Sequence, residues 1–87
     1  MPLSSAAPLP PELSVVICTL DEHEAIGSVL RALSVALAQV SHEILVVDDS
    51  RDERTAQAVI ACARTQRTVR LLRRREGGDL RLQDLFL

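Results

Sequence analysis

Residues 43–52 read Glu-Ile-Leu-Val-Val-Asp-Asp-Ser-Arg-Asp, and the reading of this stretch decides the fold. After its first residue, Glu43–Val47 is continuously apolar instead of alternating, the pattern of an inner parallel strand. Asp48, Asp49, Ser50 and Asp52 end it abruptly in a polar turn. Downstream, Thr55, Ala56, Val59, Ile60 and Ala63 fall at helical steps, predicting an amphipathic helix that ends near Arg64 to Gln66. Val69-Arg-Leu-Leu-Arg73 then predicts a third strand. Upstream, Leu13-Ser-Val-Val-Ile-Cys-Thr19 has β-branched residues at Val15, Val16, Ile17 and Thr19 and predicts a strand buried on both faces. Between these two strands Asp21 is placed to cap a helix, with Glu24 completing a capping box. Ile26, Val29, Leu30, Leu33, Leu37 and Val40 continue that helix as one apolar stripe.

The resulting order is β-α-β-α-β, with crossovers long enough for parallel connections. The expected fold class is therefore α/β, half of a doubly wound, Rossmann-like sheet. Residues 1–12, rich in Pro, Ser and Ala, are expected to be a disordered amino-terminal segment. Residues 13–75 carry the folded unit. Residues 76–87 follow a Gly-Gly break and are expected to be an irregular tail, too short for another strand-helix unit.

Composition narrows the function classes. The 87 residues are 47% hydrophobic and 25% charged, which is globular and not disordered in character. With Phe86 the only aromatic residue, the core must be aliphatic. A formal net charge of -2 argues against a chain-wide surface for nucleic acid, since such surfaces need excess positive charge. Cys18 and Cys62 form no metal-binding spacing and read as small buried hydrophobes in a reducing, cytoplasmic setting. The first 13 residues lack the basic start and apolar run of a signal peptide.

Ligands of open parallel sheets bind beyond the carboxyl ends of the strands, where loops and helix N-termini converge. Two acidic clusters fall there: Thr19-Leu-Asp-Glu22 and Asp48-Asp-Ser-Arg-Asp52. Adjacent strands would bring Glu22 and Asp49 to one crevice, where carboxylates can accept hydrogen bonds from ribose hydroxyls and base N–H groups. The same residue types also cap helices, so capping is the competing explanation. There is neither a Gly-x-Gly-x-x-Gly after the first strand nor a P-loop. Arg64, Arg67, Arg70, Arg73, Arg74 and Arg75 could hold phosphate, or form a solvated helix end and a charged strand edge.

Leu13-Ser-Val-Val-Ile-Cys-Thr-Leu-Asp-Glu-His-Glu-Ala-Ile26, Glu43-Ile-Leu-Val-Val-Asp-Asp-Ser-Arg-Asp-Glu-Arg-Thr55 and Val69-Arg-Leu-Leu-Arg73 together resemble the start of family 2 glycosyltransferases. The likeness is to dolichol- or polyprenyl-phosphate mannosyltransferase-like members and covers residues 13–75. It implies a GT-A fold that binds a nucleoside-diphosphate sugar and transfers the sugar with inversion, the acceptor being a lipid-linked group such as polyprenyl phosphate. The family's Pro-Thr-Tyr-Asn-Glu motif falls on Cys18-Thr-Leu-Asp-Glu22, and its Val-Asp-Asp motif on Val47-Asp-Asp49. The resemblance thus implies nucleotide-sugar binding by Cys18, Leu20, Glu22, Val47 and Asp49. Leu20 stands in place of the motif's aromatic residue, which removes a stacking partner for the base.

Family members also carry an Asp-x-Asp motif for a divalent metal, Mg or Mn, and a later carboxylate base. Neither occurs in these residues, so the chain is expected to be an amino-terminal piece, inactive alone. The parent enzyme is expected to be cytoplasmic, peripheral at the inner membrane face. Self-association through the unfinished sheet is a further expectation. Two alternatives stand beside this reading. One is a receiver-like, Mg-binding signalling domain, suggested by Ile44–Thr55 but lacking the lysine such domains use. The other is a noncatalytic nucleotide-binding or interaction fragment.

Overall fold

The computed structural model describes residues 9–74 and 80–83. In chain order they form β1 (Leu13–Thr19), α1 (Ile26–Ala36), β2 (His42–Asp48), α2 (Arg54–Ala63), β3 (Val69–Arg74) and β4 (Leu80–Gln83). The four strands make one sheet in the order β1-β2-β3-β4. β1, β2 and β3 run parallel, and β4 runs antiparallel to β3. The α/β expectation therefore holds, and the three-stranded parallel sheet with two helices is compatible with part of a Rossmann-like fold. No described helix is long and apolar enough to cross a membrane.

Side-chain alternation builds the core. Ile44 and Val46 of β2 and Val69 and Leu71 of β3 point to one face, where they are buried with Ile26 and Leu30 of α1 and Ala56, Val59 and Ala63 of α2. Val15 and Ile17 of β1 pack against the same cluster. Each large aliphatic side chain removed from water there contributes roughly 1.5–3 kcal/mol. Both helices thus serve one face of the sheet.

The opposite face corrects the expectation of a doubly buried first strand. Val16 is 60% exposed, and Cys18, expected to be buried, is exposed as well. Continuous apolar character does not distinguish a covered second face from one left open, and here the core residues of both helices pack on the other face.

Helix α1 is shorter than its stripe. It begins at Ile26, with Ala25 as an N-cap that makes no side-chain capping bond. The expected capping box does not form because Asp21 is used elsewhere: its Oδ1 accepts a hydrogen bond from Arg51 N–H. At the other end the helix stops at Ala36, and Leu37–Val40 continue as tight turns, leaving Val40 39% exposed.

The irregular tail expected over 76–87 is also corrected in part. Leu80-Arg-Leu-Gln83 alternates apolar and polar residues with the period of a strand, and it pairs with Leu71–Arg74 of β3. The remainder of that tail, Arg75, and most of the amino-terminal segment expected to be disordered, residues 1–8, lie outside the described residues.

Candidate functional site at the carboxyl ends of β1 and β2

The register of the sheet sets the geometry. Thr19, the last residue of β1, is the partner of Asp48, the last residue of β2. Alternation turns Asp48 to the same face as Ile44 and Val46, so its carboxylate is buried and its side chain has no exposed area. An ionised carboxylate in such a place needs hydrogen bonds and a counter-charge, because its desolvation is otherwise severe.

Both are present. Thr19 Oγ1 donates to Asp48 Oδ1 at 2.8 Å, and the Ser50 hydroxyl and the Ser50 N–H, the latter at 3.3 Å, donate to the same oxygen. Asp48 Oδ2 lies 3.8 Å from Nε of Arg73, which reaches in from β3. Arg73 Nη1 also donates to Glu53 Oε1 at 2.8 Å, just before α2. One buried carboxylate therefore joins the ends of three neighbouring strands to the loop that follows β2.

The loop after β1 is tied to the same cluster. Asp21 adopts a left-handed backbone conformation, φ 53°, which asparagine and aspartate tolerate better than most residues. Its N–H donates to Ser50 Oγ at 2.7 Å, so Ser50 both accepts from Asp21 and donates to Asp48. Glu22 N–H donates to Thr55 Oγ1 at 3.0 Å, and Asp49 N–H donates to the Thr19 carbonyl at 3.0 Å. The β1–α1 and β2–α2 loops are consequently one hydrogen-bonded unit.

The sequence-derived site residues distribute around that unit. Cys18 and Val47 are register partners on the uncovered face just below it. Leu20, 57% exposed, and the exposed Glu22 sit on the first loop, and exposed Asp49 begins the second. The arginine run is dispersed. Arg64 and Arg67 are exposed near the end of α2, Arg70 lies 4.0 Å from Glu43, and Arg73 turns inward to Asp48. Asp52 accepts from the N–H and guanidinium of Arg54, and this hydrogen bonding lowers its pKa while raising that of Arg54. Among the described residues no three His, Cys, Asp or Glu side chains are grouped to hold a metal ion.

The sequence singled out Asp49 as the ligand contact and left Asp48, Thr19 and Ser50 as members of the acidic clusters and Arg73 as one of an arginine run, whereas the side chains of these four brace the edge from within. The period of two was the available signal: Asp48 follows Ile44 and Val46 at alternate positions and therefore had to face the helices. No protein-family model matches the chain, and no curated protein matches it either.

Proposed function

We propose that the carboxyl-terminal edge of β1 and β2 binds the nucleoside portion of a nucleoside-diphosphate sugar, as the amino-terminal part of a GT-A glycosyltransferase related to family 2. The observation that carries this reading is the clasped pair of loops. Adjacent parallel strands end in register, and the loops leaving them expose Glu22 and Asp49 while Asp21, Ser50 and Asp48 hold the backbones together. Carboxylates on a braced edge suit neutral hydrogen-bond donors such as ribose hydroxyls and base N–H groups. In this reading Glu22 and Asp49 make the polar contacts, and Cys18, Leu20 and Val47 supply the apolar border.

The divalent metal of the family does not fit the described residues, because no third ligand accompanies any acidic pair and the Asp48 carboxylate is already engaged by Thr19, Ser50 and Arg73. No step is therefore assigned to it. The receiver-like alternative draws less support for the same reason, since it needs the Asp48 and Asp49 pair open to Mg²⁺. The sugar acceptor and a location at the cytoplasmic membrane face remain part of the proposal through the resemblance alone.

Isothermal titration of the 87-residue chain with UDP, GDP and their sugars, with and without Mn²⁺ or Mg²⁺, tests the reading. Saturable binding by one nucleotide series, weakened by Asp49→Ala and by Glu22→Ala, is expected. No heat with any nucleotide, from protein shown to be folded, would contradict it.

A further inference from the structure

We propose that Arg73 is the positioning residue of this edge: from the end of β3 it fixes the β2–α2 loop through Asp48 and Glu53, and so sets where Asp49 stands. What the loop is fixed for rests on the nucleotide reading above. That Arg73 fixes it rests on geometry alone.

The sequence places Arg73 two residues after buried Leu71, and its register partner is Asp48 on the neighbouring strand. The guanidinium is therefore delivered to the helix-covered face beside a carboxylate that has no solvent exposure. The two oxygens of that carboxylate have different surroundings. Oδ1 takes the hydroxyls of Thr19 and Ser50 and the Ser50 N–H. Oδ2 takes no hydrogen bond and faces Arg73 Nε, itself buried and without an acceptor, at 3.8 Å.

Arg73 thus sets a positive charge beside the inward-turned Asp48 carboxylate, and Asp48 in turn holds Ser50. Through Nη1 the same side chain holds Glu53 at the far end of the loop. Residues 49–52 are spanned by two anchors, Asp48 and Glu53, that converge on one cation. A planar fork can serve two carboxylates at once, whereas an ammonium group of similar reach is a single point charge. Without the cation the buried carboxylate is left with no counter-charge beside Oδ2, and its hold on Ser50 loosens.

The test compares Arg73→Gln, Arg73→Lys and Glu53→Gln with the unmodified chain, by amide hydrogen exchange and by titration with UDP and GDP. Exchange at the Ser50 and Asp21 amides reads the loop, and exchange at Ile44 and Val46 reads the sheet. Arg73→Gln is expected to speed Ser50 and Asp21 exchange about tenfold relative to Ile44 and Val46, and to weaken nucleotide binding about as much. Arg73→Lys is expected to recover part of both effects by restoring the charge. Glu53→Gln, which alters only the exposed arm, is expected to loosen the loop to a smaller degree.

A purely structural role would raise exchange at all four amides together. That result, or loop amides in Arg73→Gln as protected as before, overturns the proposal. If Arg73→Gln does not fold, unchanged loop exchange in both Arg73→Lys and Glu53→Gln overturns it. Absence of nucleotide binding by the unmodified chain sinks the nucleotide reading, and the exchange comparison still decides the role of Arg73.

Discussion

Thr19 and Asp48 close adjacent parallel strands as register partners and are joined by a 2.8 Å hydrogen bond between buried side chains. This bond lies on the link between packing and function, because the loops that would bind a ligand depart from these two residues. Thr19→Val keeps the shape and deletes the donor. It is expected to lower stability by about 1–2 kcal/mol, since a buried carboxylate oxygen loses one of its hydrogen bonds and keeps those from Ser50. Thr19→Ser should lose less. Urea denaturation checks the order, and a Val variant as stable as the parent would show the bond to be dispensable.

Asp21 offers a test of backbone conformation separate from its carboxylate. Asp21→Gly and Asp21→Ala both remove the acceptor used by Arg51 N–H, but only glycine is free of steric cost at φ 53°. The glycine variant should be more stable than the alanine variant by about 1 kcal/mol. Equal midpoints in thermal or urea unfolding would place Asp21 outside the left-handed region.

The one-sided core makes a third prediction. Val16 is 60% exposed and Val46 fully buried, although both are valines in neighbouring strands. Val16→Thr should change stability by less than about 0.5 kcal/mol, as exposed substitutions usually do. Val46→Thr should lower it by about 1–3 kcal/mol, because its hydroxyl enters the core. A comparable loss at both positions would mean that the second face is covered after all.

Asp52 supplies the pH dependence. Its hydrogen bonds with Arg54 depress its folded-state pKa below the ordinary value, so the stability it contributes is present above the unfolded pKa and is lost as pH falls through the folded one. Both partners are solvent-exposed, so the effect should be small and should shrink in high salt. The stability difference between the parent and Asp52→Asn, measured by urea unfolding, should narrow on going from neutral to strongly acidic solution. A difference that widened on acidification would reverse the sign.

Strand positions were legible because they depend on short-range pattern. β1 matches the expected Leu13–Thr19, and β2 and β3 extend the expected strands only at their ends. Helix starts were less legible, since capping depends on what else competes for the side chain. Asp21 looked like a cap in one dimension, and in three dimensions it braces the neighbouring loop. The two acidic clusters were visible as neighbours at one edge. Their division of labour was not, because burial of Asp48 depends on a cation from the next strand, Arg73, that looked like one member of a charged run. Cys18 was misplaced for a related reason: a small apolar residue in a strand does not reveal whether its face is covered.

Two-dimensional ¹H–¹⁵N spectra of the labelled chain, recorded during titration with UDP-sugars and GDP-sugars, test the proposed binding edge most directly. Shifts should concentrate at the amides of Leu20 to Glu24 and Asp48 to Thr55, with His42 and Glu43 at the opposite end of β2 unmoved. Saturating nucleotide that leaves those loop amides in place, or moves only residues at the opposite end, would contradict the assignment.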